Sequence, residues 1–176
     1  MLSVVIPTLD AAAHLPACLA ALKGADEIIV VDGGSVDDSA AIAGAVGAKV
    51  IQARRGRGVQ LRVGAEAARG DWLLFIHADT RLASDWWDAA AGHVANRPNE
   101  AACLRFRLDD PAWQARFIEA GVAARVRLLN LPYGDQGLLV SRARYEAVGG
   151  YRSLPLMEDV DLVRRLGRVR VLGADA

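Results

Sequence analysis

The sequence predicts an α/β fold: a mostly parallel central sheet with helices on both faces. Three observations predict it. Short β-branched runs read as strands buried on both sides, helical patterns separate them, and the joints between are only a few residues long. The 176 residues suit one unit with a sizeable core, and 53% hydrophobic with 24% charged residues is a globular composition, not a disordered one.

Ser3–Ile6 reads as the first strand, stopped by Pro7, and a helix follows from about His14 to Lys23, ended by Gly24. Glu27–Val31 is the second strand. Asp32-Gly-Gly-Ser35 is a turn, and Ser35 with Asp38 has the spacing of a capping box that starts the next helix. Ala48–Ile51 is a third strand, Gly56–Arg69 a helix closed by Gly70, and Trp72–Ile76 a fourth strand entering His77-Ala78-Asp79. In the second half, Ser84–Asn96 is a helix. Ala101–Leu108 is a strand whose alternating charges predict one wet side, and Pro111–Leu129 is a longer helix. A loop, Leu131–Gly137, leads to a strand at Leu138–Ser141 and a short helix, Arg142–Val148, broken by Gly149-Gly150. A last helix starts near Glu158 and stops at Gly167, and Val169–Leu172 is a final strand. The order implies right-handed βαβ crossovers and a Rossmann-like sheet.

Formal net charge is +0, which makes no general case for nucleic acid or an anionic surface as partner. Cys18 and Cys103 lack zinc-type spacing and make no disulfide framework; they read as buried free thiols in a reducing cytoplasm. Leu2–Ile6 is too short for the apolar region of a signal peptide, and no apolar run spans a bilayer. Peripheral contact at the inner face of a membrane stays open.

In open parallel sheets, ligands sit beyond the carboxyl ends of the strands near a switch point. Here the polar residues collect at those ends: Pro7-Thr8, Asp32-Gly33-Gly34-Ser35 and His77-Ala78-Asp79-Thr80. Asp32 can accept a hydrogen bond from a ligand N–H, or it can simply build a turn with Ser35. A carboxylate at Asp79 can hold Mg²⁺ or Mn²⁺ against a diphosphate, and His77 can reach the same side as a ligand or an orienting group; the alternatives are a turn and a packing residue. Arg54, Arg55 and Arg57 lie in a glycine-punctuated loop and can meet phosphates, or solvent alone. Glu158 and Asp159 open the last helix, where acids complement the dipole. Asp159, Leu162, Val163 and Leu166 share the apolar face, so Asp159 is expected to point inward as a candidate general base. Glu158 shares a side with Asp161 and Arg165 and is expected to face solvent.

Taken together, Ser3–Thr8, Glu27–Ser35, Ala68–Thr80, Pro132–Gly137, and Gly149–Tyr151 through Leu156–Leu162 resemble glycosyltransferase family 2, with its GT-A fold. More narrowly they resemble its bacterial radical-SAM/selenodomain-associated branch. The resemblance covers almost the whole chain. It implies a single domain, 1–176, with a nucleotide-binding half at 1–80 and an acceptor-side half at 81–176. It implies transfer of a sugar from a nucleotide-sugar, a UDP-sugar by analogy, to an acceptor hydroxyl of a glycan, lipid or small molecule, with inversion. Thr8 and Asp32 would hold base and ribose, and Pro7, Gly33, Arg57 and Ala78 would complete the nucleotide site. Asp79, with His77, would hold Mn²⁺ or Mg²⁺, and Asp159 would be the catalytic base. Tyr133, Gly134, Asp135, Gln136 and Glu158 would line the acceptor side.

Gly33 stands where many relatives carry a second acid, His77 stands in place of the metal motif's first aspartate, and Arg62 stands where asparagine is frequent. Similar proteins usually continue past the last strand with further helical sequence, which this chain is expected to lack. Two other functions compete. A nucleotidyltransferase wants a glycine-rich basic loop after strand one, which Pro7–Ala12 does not supply. A non-catalytic sugar-nucleotide-binding protein would bind donor without turnover.

Overall fold

The computed structural model describes all 176 residues. Its elements, in chain order, are β1 (Leu2–Thr8), α1 (Leu15–Ala20), β2 (Glu27–Asp32), α2 (Ser39–Ala45), β3 (Lys49–Gln52), α3 (Arg57–Ala67) and β4 (Trp72–Phe75), then α4 (Trp86–Asn96), β5 (Ala101–Arg105), α5 (Trp113–Leu129), a 3-10 turn (Gly134–Gln136), β6 (Leu138–Ser141), α6 (Arg142–Ala147), α7 (Glu158–Leu166) and β7 (Val169–Asp175). The strands form one seven-stranded sheet in the order β3-β2-β1-β4-β6-β5-β7. β6 alone runs antiparallel to its neighbours; every other pairing is parallel.

The pleat of β1 sends alternate side chains to opposite faces, and both faces are covered. Val4 and Ile6 join Leu15, Cys18 and Leu19 of α1 and Trp86 and Ala90 of α4. Val5 joins Ile29 and Val31 of β2, Leu61 and Ala65 of α3, and Leu162, Val163 and Leu166 of α7 on the other face. β1 lies between β2 and β4: the chain runs outward from β1 through β2 to β3, then crosses back to β4 on the other side of β1. That switch point gathers the ends of β1, β2 and β4 along one edge of the sheet. Both cysteines are buried and unpaired, and burial pushes each thiol up to about 12. No helix is long and apolar enough to cross a membrane.

Four local expectations are corrected. The capping box at Ser35 does not form: α2 starts at Ser39, and the Ser35 hydroxyl instead accepts from the Asp10 amide and donates to Asp32. β5 stops at Arg105, and Ala101–Leu104 are buried with no wet side, because its alternate side chains enter the two cores on either face of the sheet and its charged positions lie at or past its end. β7 runs on to Asp175, where Arg105 forms an ion pair with the Asp175 carboxylate at 2.8 Å. Glu158 is 1% exposed and does not face solvent. The start of α3 packs over it: Gly58 carries no Cβ because one would press on the Arg152 carbonyl and on Glu158.

A buried carboxylate ties the N-terminal strands to the end of α3. Glu27 accepts from the Ser3 hydroxyl at 2.5 Å and from the Arg69 amide and guanidinium at 2.8 and 3.0 Å. Burial raises its pKa, but those donors outweigh burial and hold it below the usual glutamate value. Its stabilising effect is therefore complete above the unfolded-state pKa and fades as pH falls through the lowered folded value. Glu27→Ala should cost about 2–3 kcal/mol in urea unfolding at neutral pH, with a smaller loss under acid conditions.

Candidate functional site

The cleft at the carboxyl edge is built around His77. Its imidazole lines two adjoining depressions. One, about 230 Å³, is formed by Pro7, Thr8, Arg55, Gly56, Arg57 and Gln60. The other is narrow, with space for about one water, and is walled by Pro132, Tyr133, Gly134, Tyr151, Glu158 and Asp159. Asp79 lies beyond, with Asp135, in a third hollow of about 430 Å³.

Each element delivers its group for a local reason. β4 is buried throughout and its ladder ends at Phe75, so the chain leaves the sheet and presents His77 and exposed Asp79, with Ala78 buried between them. α7 starts from Met157, held in a left-handed conformation at φ 63°, and its apolar stripe buries Asp159 to 8% exposure, as its periodicity predicts. Asp159 accepts from the Gly134 amide at 2.6 Å and from its neighbour's amide, Val160, at 2.8 Å. Those two donors fix the carboxylate beside the loop that follows α5.

His77 is held below the ordinary histidine pKa. Burial is the main cause and the Arg57 cation adds to it, while Asp79, Asp135 and Asp159 pull the other way. Around one ring, then, stand a cation from α3 and carboxylates from three segments. Asp135 is raised, chiefly by burial and further by Asp159, against the opposing pull of Arg125 and His77; its Oδ1 is buried with no partner.

No three His, Cys, Asp or Glu side chains gather at metal-binding spacing. What is present is an accessible Asp79 carboxylate, a histidine biased to its neutral form, and the partnerless Asp135 oxygen. They form no preassembled cage, so a divalent ion here would have to take most of its ligands from phosphate oxygens and water, as Mg²⁺ does, with Asp79 as its accessible protein oxygen.

The nucleotide-side residues divide. Thr8 is buried and its hydroxyl has no partner; Pro7, Thr8 and Arg57 line one depression. Asp32 is at the same edge, but the Ser35 hydroxyl and the amides of Gly34 and Ser35 already occupy its oxygens. Gly33 leaves space that Gln60 fills: a Cβ there would lie 3.0 Å from the Gln60 amide oxygen. Arg57 is tied to Glu158 by an ion pair, so Glu158 is a support for that arginine and a wall of the narrow cleft. Tyr133 and Gly134 line the cleft. Gln136 does not: its amide donates to the Leu104 carbonyl at 3.1 Å, inside the molecule.

Two contributors escaped the sequence reading. Gln60 donates to the carbonyls of Thr8 and Val31 at 2.9 and 2.8 Å, locking the ends of β1 and β2 together. A polar residue beside Leu61, four before Gly64 on the packed face of α3, was the available signal. Arg125 stacks over Tyr133, 3.5 Å from the ring centroid, and no local pattern announces that contact.

A glycosyl transferase family 2 model matches residues 3–131. A PGL/p-HBAD biosynthesis glycosyltransferase of Mycobacterium bovis is 41% identical over 93 residues, covering 47% of this chain and 36% of that protein. A TPR repeat-containing protein of Synechococcus elongatus is 37% identical over 117 residues, covering 61% of this chain and 27% of its own length. The chain thus spans about a third of the length of these curated relatives. Among solved structures, S. aureus TarS 1-349 superposes with a TM-score of 0.78 at 17% identity, over 99% of this chain and 60% of that one. The glucosyl-3-phosphoglycerate synthase of Mycobacterium tuberculosis, in complex with Mn²⁺, uridine-diphosphate and glucosyl-3-phosphoglycerate, superposes at 0.73 with 21% identity, over 97% and 68%. At these identities the likeness establishes the fold, which is that of the GT-A glycosyltransferases.

Replacing Arg57 with glutamine removes the cation that depresses His77. The imidazole should then titrate at higher pH, closer to a free histidine, as read by NMR of the ring protons.

Proposed function

The chain belongs to glycosyl transferase family 2, and on that premise we propose that it transfers a sugar from a UDP-sugar to an acceptor hydroxyl, metal-dependently and with inversion. The observation that carries this reading is that His77 at the tip of β4 and Asp159 at the start of α7, distant in sequence, wall one narrow cleft and both crowd Gly134, with Asp79 in the hollow beyond. The Mn²⁺ and uridine-diphosphate in the M. tuberculosis complex support the donor and metal assignments by analogy. The His77-Ala78-Asp79 and Tyr133–Gly137 segments support placing the chain in the radical-SAM/selenodomain-associated branch. We assign residues 1–80 to the donor half and 81–176 to the acceptor half of one domain, and the acceptor remains a glycan, lipid or small molecule.

In this reading Thr8 and the β1–β2 edge, shaped by the Asp32–Ser35 turn, seat the nucleoside, and Arg57 faces the phosphates. Asp79, with His77 and the free oxygen of Asp135 beside it, would hold the ion; once bound, Mn²⁺ or Mg²⁺ offsets negative charge on the departing diphosphate. Asp159 accepts the proton of the acceptor hydroxyl while that oxygen bonds to the anomeric carbon and the nucleoside diphosphate leaves from the opposite face. The amides of Gly134 and Val160 hold the carboxylate in one orientation for that transfer. The narrowness of the Asp159 cleft means an acceptor must meet the carboxylate at the cleft mouth or displace the 131–137 loop.

Donor turnover, followed as nucleoside diphosphate release, should fall about 10²–10⁴-fold in Asp159→Asn, with Mn²⁺-dependent UDP binding by calorimetry retained. Asp79→Asn should lose both. Full turnover in Asp159→Asn overturns the base assignment, and release of pyrophosphate in place of a nucleoside diphosphate overturns the reaction class.

A further inference from the structure

One side chain of α5 reaches along the whole 131–137 loop. Arg125 donates from Nε to the Leu131 carbonyl at 3.0 Å and from a terminal nitrogen to the Gln136 amide oxygen at 3.4 Å. Its guanidinium carbon lies over the Tyr133 ring, 3.5 Å from the centroid. Leu131 opens the loop, Tyr133 stands near its middle and Gln136 near its end, so a single guanidinium spans the segment. All three partners are uncharged.

The rest of the scaffold holds only the ends of this loop. Leu131 packs against the core on the α3 and α7 face of the sheet, Pro132 is buried, and Gln136 bonds inward to the Leu104 carbonyl. Residues 133–135 are half-buried, and their own bonds are those of the 3-10 turn: the Gln136 amide to the Tyr133 carbonyl and the Gly137 amide to the Gly134 carbonyl. From outside the loop, one hydrogen bond reaches them, between the Gly134 amide and Asp159 at 2.6 Å, and one stacking contact, from Arg125 to Tyr133. His77 closes the remaining side, where a Cβ on Gly134 would collide with the imidazole. A small displacement of the loop therefore either presses on that ring or opens the bond to Asp159.

We propose that Arg125 is a positioning residue for Asp159: by clamping the 131–137 loop it fixes the Gly134 amide, and through that amide the orientation of the carboxylate that takes the acceptor proton. The proton-transfer part of this role rests on the transferase reading above. The geometry calls for arginine in particular. A flat guanidinium can lay its face on a ring while its edge donates to two oxygens, whereas the lysine ammonium carries the same charge and cannot do both. Burial raises Asp135, and the Arg125 cation is foremost among the groups that pull it back, so the same side chain also acts on the loop through its field. When such a clamp is lost the base stays in place chemically but loses its alignment, and lost alignment lowers rate.

The test uses Arg125→Met and Arg125→Lys in the full chain, with UDP-glucose and Mn²⁺ as probes. Both variants should keep their circular dichroism and their Mn²⁺-dependent UDP binding by calorimetry, while UDP release falls about 10²-fold. The Gly134 amide should exchange with deuterium about tenfold faster or more, read by NMR, with the amides of β1 and β4 protected as before. In an Asp159→Asn background neither substitution should lower turnover further, because nothing is left for Arg125 to act through. Unchanged exchange at Gly134 in both variants overturns the clamp. An equal loss of turnover in the Asp159→Asn background overturns the action through Asp159, and full recovery of exchange and turnover by lysine reduces the side chain to its charge and overturns the proposal as well. An unsubstituted chain that releases no UDP sinks the transferase reading instead; faster exchange at Gly134 then still upholds Arg125 as the residue that positions Asp159.

Discussion

Glu158 is a carboxylate with almost no contact with water, and the Arg57 guanidinium is what makes its burial tolerable. Taking the Glu158 carboxylate out of solvent costs several kcal/mol, and the attraction of a guanidinium that is itself 40% exposed returns no more than about that much. The pair is therefore better understood as a device of geometry than of stability. It joins the start of α3 to the start of α7, and the bare backbone of Gly58 lets the two helices close on each other over the Arg152 carbonyl. With α7 pinned there, its next residue, Asp159, has one place to go: the wall of the cleft beside Gly134.

From that joint the rest of the cleft follows. Arg57 cannot move without releasing Glu158, and it is also the cation that lowers His77. Gly134 packs so closely that a Cβ would lie 2.6 Å from the imidazole Nε2. One histidine is thereby squeezed between the donor-side and acceptor-side halves of the proposed site, and a change on either side reaches the other through its charge and position. Asp135, short of a partner for one oxygen, leans on the same ring.

Much of this architecture could be read in the residues. Short continuous apolar runs identified the strands because parallel strands here are buried on both faces, and the i, i+3, i+4, i+7 stripe of α7 turned Asp159 inward. Periodicity failed one residue earlier. Whether a side chain in the first turn of a helix meets water depends on what packs across the helix start, and at Glu158 that is α3, a hundred residues away in sequence on the evidence of Arg57. The capping box failed for a related reason: Asp10, from the loop after β1, captures the Ser35 hydroxyl and the Val36 amide, so a distant segment outcompeted a local one. Gln136 looked like part of a polar loop and turned out to be an interior strut, since loop residues next to a buried strand end have backbone groups to satisfy. The meeting of Asp79 and Asp159 around one ring was legible only through the resemblance, because no spacing rule links two segments so far apart.

The single antiparallel strand bears on how the chain assembles. β1, β2, β3 and β4 are complete by Phe75 and form the parallel half of the sheet among themselves. β4 then presents an open edge until Leu138–Ser141 arrives, and β5 has no parallel partner until Val169–Asp175 is available. On a ribosome the first four strands can therefore collapse before the second half is made, while closure of the sheet waits for Leu138–Ser141 and Val169–Asp175. In that interval the exposed flank of β4 is the segment most in need of protection from other nascent chains.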